Sequence, residues 1–222
     1  MKIVSLSSNF FSVSIWTLAS RILGFVRDIL MAAFLGTGPL AEAFLVAFSL
    51  PNMFRRFFAE GALNMAFVPL FSKKLDVDTE DAHGFASETF VILGTGLLIL
   101  TILAQICMPV LVFSMASGFY GDGRFDQAID LGRITFPYIL FISLAALISG
   151  ILNASGKFKT AAAAPIILNI VLILSMISAD FLKLEISLAL AIAVPISGVL
   201  QLFLVYRSAI KIGFKLKFRL PK

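Results

Sequence analysis

From residue 89 onward, long uncharged runs alternate with short polar breaks. The runs 89–120, 134–155, 160–179 and 186–206 contain no Asp, Glu, Lys or Arg. Each reaches the ~20 residues that a helix needs to cross a hydrocarbon core ~30 Å thick. Two earlier stretches, 9–35 and 40–72, are also largely apolar but are interrupted by charge. A run buried in lipid can leave no backbone group unpaired, so helix is the expected form for all six. The pattern predicts an all-α integral membrane protein with six transmembrane helices over 1–206, followed by a basic tail, 207–222.

Composition agrees with that class. The chain has 222 residues, 59% hydrophobic and 14% charged, with a mean hydropathy of +1.00. The net charge of +5 belongs mostly to loops, and no nucleic-acid motif accompanies it. Eleven basic residues, namely Lys2, Lys73, Lys74, Lys157, Lys159 and six in 207–222, fall on one set of connections. Only Arg124, Arg133 and Lys183 fall on the other, so the positive-inside rule places both termini in the cytoplasm. The alternating basic and apolar tail fits either a juxtamembrane anchor at anionic lipid headgroups or a linker to a further domain. A single cysteine, Cys107, allows neither an internal disulfide nor a multi-cysteine metal site. His83, in the polar stretch 76–83, is expected to be a solvated loop residue. No phosphate loop or serine–histidine–aspartate set is present. The expectation is a non-enzyme without metal or cofactor. The apolar N-terminus resembles a signal peptide, but Ser7, Ser8 and Asn9 dilute it, so cleavage is not expected.

The informative residues are the four arginines in the first two segments: Arg21, Arg27, Arg55 and Arg56. Each charge at membrane depth costs at least ~2.5 kcal/mol on insertion scales. Such residues usually line a polar cavity, and arginine suits an anion because its planar fork donates two parallel hydrogen bonds. At 1.5 Å per residue, Arg21, Arg27 and Arg55 fall about 18, 27 and 25 Å from the cytoplasmic ends of their segments, near one depth. Arg21 and Arg27 are about 240° apart around a straight helix, and Gly24 between them offers a bend. Pro51 removes a backbone donor from the second segment, where Ser49 and Asn52 are candidates to satisfy what it frees. Asp28, Glu42 and Glu60 are the candidate countercharges. Two readings remain: an anion site, or internally paired charges that lock helix one to helix two.

The motifs Ser20-Arg21-Ile22-Leu23-Gly24-Phe25-Val26-Arg27-Asp28, Leu50-Pro51-Asn52-Met53-Phe54-Arg55-Arg56-Phe57-Phe58-Ala59-Glu60-Gly61-Ala62 and Ala66-Phe67-Val68-Pro69 resemble the MurJ/MviN family of lipid II flippases. Phe136-Pro137-Tyr138, Gly150-Ile151-Leu152-Asn153-Ala154 and Leu168-Asn169-Ile170 extend the likeness. The resemblance implies a bacterial inner-membrane protein of the multidrug/oligosaccharidyl-lipid/polysaccharide exporter superfamily. Its cargo would be lipid II, an undecaprenyl diphosphate bearing a disaccharide-pentapeptide. It implies that Arg21, Arg27 and Arg55 bind the diphosphate in a central cavity, with Asp28, Glu42, Pro51, Asn52, Arg56 and Glu60 in supporting or gating roles. Family members have two lobes that alternate access, and the six segments match only the first. Expected partners are therefore lipid II, membrane lipids, and a missing C-terminal lobe or a second copy. A flippase for another polyprenyl-linked glycan, a drug exporter of the same superfold, and a non-transporting membrane scaffold subunit are the alternatives.

Overall fold

Capping chemistry sets where the helices begin and end. The computed structural model describes residues 2–56 and 65–216, and these form eight α-helices without a strand among them. The helices are α1 Lys2–Leu35, α2 Pro39–Arg55, α3 Val68–Val77, α4 Thr79–Met115, α5 Gly123–Thr135, α6 Tyr138–Ala154, α7 Phe158–Leu182 and α8 Ile186–Lys211. Asp78 starts α4: its carboxylate accepts from the Glu80 N–H at 2.8 Å, and Glu80 and Asp81 occupy the first turn. Negative charge is favoured there by the helix dipole, so the polar stretch before residue 89 is helical. His83 is consequently not a loop residue. It sits half-buried on α4, with its ring edge-to-face against Phe214 at 5.3 Å. Asp122 starts α5 in the same manner, accepting from the Arg124 N–H at 2.7 Å. Lys183 ends α7 in the left-handed region, at φ 56°.

Four helical stretches are long and apolar enough to span a membrane: Thr79–Met115, Gly123–Ala154, Phe158–Leu182 and Ile186–Lys211. These correspond to the four uncharged runs, each lengthened into its polar flanks. The two charge-bearing segments are not among them. The segment 9–35 lies within α1, whereas 40–72 is described only as α2 and the start of α3, with 57–64 outside the described residues.

The centre of the fold is α6 packed on α8, with α7 against α8 on one side and α1 against α7 beyond it. The closest approach is at Gly198, where a Cβ would lie 2.8 Å from Tyr138 Cδ2 and 3.1 Å from Phe141 Cβ. Only glycine lets the backbones of α6 and α8 come so near. On the other flank α5 packs on α2, and Phe44, Leu50, Met108 and Phe136 are fully buried there. A second cluster gathers Phe67, Phe71, Leu147 and Phe214. Phe214 reaches it through a turn at Gly213, φ 88°, so this part of the basic tail folds back onto protein.

The prolines show how backbone groups are kept paired. Pro51 has no N–H to donate to the Ala47 carbonyl one turn earlier. Ser49 and Asn52 do not compensate: they donate to the Leu45 and Phe48 carbonyls, at 2.7 and 2.9 Å. The buried Thr135 hydroxyl on α5 donates to Ala47 instead, at 2.9 Å. Pro109 frees the Gln105 carbonyl in the same way, and Arg133 Nε reaches it at 3.4 Å while Gln105 Nε2 donates to the Arg133 carbonyl at 2.9 Å. Helix α5 thus supplies the donors that two proline-broken helices lack.

Candidate functional site

Arg27 is held from two sides. Its Nε and one terminal nitrogen donate to Asp28 Oδ1 at 3.0 and 2.7 Å, and the other terminal nitrogen donates to Asn169 Oδ1 at 2.9 Å. Asn169, on α7, is 5% exposed, and its Nδ2 donates to the Ser20 carbonyl of α1 at 3.0 Å. A single amide therefore aims the guanidinium and fastens α1 to α7. Gly24 faces it across an ordinary contact, a Cβ there lying 3.7 Å from Asn169 Nδ2, within a helix that runs unbroken from Lys2 to Leu35.

Arg55 is the last residue of α2, half-buried, and lines a cavity of about 420 Å³ bounded by α1, α6, α7 and α8. Among the described residues it is the only charged one of that lining. Gln201, 1% exposed, forms part of the wall and approaches the Tyr138 hydroxyl at 3.5 Å. Tyr138 is itself 2% exposed.

The remaining predicted residues are dispersed. Arg21 is exposed and is not among the cavity-lining residues. Arg56 is exposed at the end of α2, and Asn52 stays bonded within its own helix. Of the three candidate countercharges, Asp28 pairs with Arg27. Glu42 pairs elsewhere, with Arg124 at 2.6 Å, because it opens α2 at the end nearest the start of α5. Arg124 also bonds Asp122 at 2.5 Å and stands over the Phe119 ring at 4.5 Å. Those hydrogen bonds hold the Asp122 carboxyl below the usual carboxylate range. Glu60 lies outside the described residues.

Sequence reasoning did not single out Asn169, Tyr138 or Gln201 as site residues. The available signal was chemical: Asn169 and Gln201 are the only amides in the runs 160–179 and 186–206, and a polar side chain in an uncharged span needs a partner.

Residues 31–221 match the model of a family described as lipid II flippase MurJ. A "probable lipid II flippase MurJ" of Rhizobium tropici is 44% identical over 99% of this chain and 42% of its own length. The "lipid II flippase MurJ" of Burkholderia cenocepacia is 39% identical, with 90% and 39% covered. A solved structure titled "Lipid II flippase MurJ, inward closed conformation" superposes with a TM-score of 0.78 at 32% identity, over 93% of this chain and 43% of that one. The chain thus spans about two fifths of the length of the curated relatives it matches.

Proposed function

Given that the chain belongs to the lipid II flippase MurJ family, we propose that it forms the N-terminal lobe of a lipid II flippase in the bacterial inner membrane. The lobe binds cargo rather than transforming it: Arg27 and Arg55 hold the diphosphate, and Arg21 meets it on approach. The observation that carries this reading is that Arg55 lines the cavity, while Asp28 and Asn169 hold the Arg27 guanidinium in place. Three of the five N–H donors of Arg27 are engaged by Asp28 and Asn169, which leaves two for phosphate oxygens. The lobe has six membrane-spanning segments with both termini cytoplasmic, α1 and the 40–72 segment completing the four apolar spans. Asp28, Pro51, Asn52, Arg56 and Glu60 support the site, and Glu42 belongs to the outer end. Transport by alternating access requires a second body to rock against the first, and a C-terminal lobe or a second copy supplies it.

The bonds of Arg27 to Asp28 and Asn169 also favour a second reading, in which the charges only lock α1 to its neighbours. Binding of lipid II to the purified chain separates the two, with Arg55→Ala and Arg27→Ala compared at equal abundance. Charge-assisted hydrogen bonds contribute about 1.5–3 kcal/mol each, so each variant is expected to bind at least about tenfold more weakly. Unchanged affinity with reduced thermal stability would establish the lock instead. Lipid II translocation in cells depleted of their own flippase then asks whether the lobe acts alone or needs its complement in trans.

A further inference from the structure

The cavity beside Arg55 has a chemistry of its own. Thr17 of α1, Ser149 and Asn153 of α6 and Gln201 of α8 line it with neutral hydrogen-bonding groups, and Phe158 stands among them at the first turn of α7 with its ring 38% exposed. Among the described residues no carboxylate joins the lining, and the guanidinium of Arg55 suits an anionic group. Ser149 and Asn153 are four residues apart and share one face of α6. Elsewhere in the fold, helical hydroxyls are consumed locally: Ser49, Thr89 and Thr101 each donate to the carbonyl four residues earlier. Among the described residues, no hydrogen bond engages the side chains of Thr17, Ser149 or Asn153. Their capacity is directed at whatever fills about 420 Å³ of space, a volume within the ordinary range for small-ligand sites. Hydroxyls and amides that both donate and accept, set around an aromatic face, match a pyranose ring. Its hydroxyls answer the polar groups and its C–H face lies on the phenyl ring.

We propose that this cavity is a sugar subsite, in which Ser149, Asn153, Gln201 and Phe158 take the hexose joined directly to the diphosphate held at Arg55. This rests on the diphosphate reading above. It adds that the lobe recognises the glycan as well as the charge, so an undecaprenyl diphosphate without sugar is a poorer ligand.

The test is native mass spectrometry of the purified 222-residue chain with two probes, undecaprenyl diphosphate and the same lipid carrying its first sugar. The unsubstituted chain is expected to bind the sugar-bearing lipid about tenfold more tightly, the effect of one or two net hydrogen bonds. Phe158→Ala and Asn153→Ala should bring that lipid down toward the sugar-free affinity and leave the sugar-free lipid unchanged. Both side chains are exposed, so the fold should tolerate the truncations, with thermal melts as the check. Equal affinity for the two probes, or variants that weaken both probes alike, would overturn the sugar subsite. Arg55→Ala should weaken both probes equally. Preference for the sugar that persists while Arg55→Ala changes neither affinity would keep the subsite and overturn the diphosphate assignment. Absence of binding by either probe would overturn both.

Discussion

Helices α1 and α6 are joined to their neighbours by opposite means. Helix α6 is buried along most of its length, and Gly198 brings α8 against it so closely that a Cβ there would meet the Tyr138 ring and the Phe141 β-carbon. Helix α1 leaves Phe11, Ile15, Phe25 and Ile29 exposed and is fastened to α7 through a polar contact, the Asn169 amide shared between Arg27 and Ser20. Where both sides are apolar, dispersion from close approach holds a helix pair in a bilayer, since lipid tails offer little hydrophobic gain. Where a charge must stay accessible, the hydrogen bond takes over as fastener. The centre is fixed by shape, and the edge by hydrogen-bond chemistry.

The sharpest way to break this contrast is to add volume at each glycine. Gly198→Val forces atoms into a gap already under van der Waals contact, and overpacking of this kind costs about 1–3 kcal/mol. A lower melting temperature and reduced membrane abundance are expected. Gly24→Ala meets Asn169 only at ordinary contact distance, and alanine in a helix interior is favoured over glycine by about 1 kcal/mol. That variant should melt at or above the unsubstituted temperature. Equal damage from the two would mean that the edge is packed as tightly as the centre.

A smaller effect tests the amide itself. Asn169→Leu removes both fasteners of α1, and a net loss of about 1–1.5 kcal/mol is expected for the pair, read as a lower melting temperature. Asn169→Asp retains an acceptor for Arg27 but adds a negative charge beside it. The fold should survive, while affinity for undecaprenyl diphosphate falls several-fold. If Asn169→Asp bound that lipid as well as the unsubstituted chain, Arg27 would not be acting through its charge on the ligand.

How much of this the sequence foretold depended on the kind of interaction. The four uncharged runs were readable because twenty consecutive apolar residues have few other fates, and α4, α6, α7 and α8 follow them. Their true ends were hidden in capping: Asp78 and Asp122 start helices inside stretches that look like loops. The arginines stood out through the energetic cost of their setting, and the structure places Arg55 on the cavity and Arg27 against Asp28 and Asn169. Their partners did not stand out, because Asn169, Tyr138 and Gln201 come near them only through packing across more than eighty residues of chain. The same blindness offered Glu42 as a countercharge to the arginines of the first two segments, where it pairs with Arg124, and gave Ser49 and Asn52 the work that Thr135 performs. Composition and periodicity report on a residue's own environment, and pairing between distant helices is not in them.

The smallest expected effect concerns the outer end, where Arg124 ties the start of α2 to the start of α5 through Glu42 and Asp122. These groups are solvent-accessible, and an exposed ion pair contributes about 0.2–1 kcal/mol. Glu42→Gln should therefore lower stability only slightly at neutral pH, and less still at high salt. Asp122 adds a pH dependence with a definite sign. Its carboxyl is held below its ordinary value by Arg124, so the native state binds its proton more weakly than the unfolded chain does. The resulting stability is fully present above the ordinary carboxylate range and is lost as pH falls through the depressed value. Asp122→Asn keeps a competent helix cap but removes this titration. Thermal melts taken from neutral pH down through that range should converge for Asp122→Asn and the unsubstituted chain at the acid end. Curves that stay parallel throughout would mean that the carboxylate contributes through capping alone, and that α2 and α5 are held together by their buried apolar faces without help from charge.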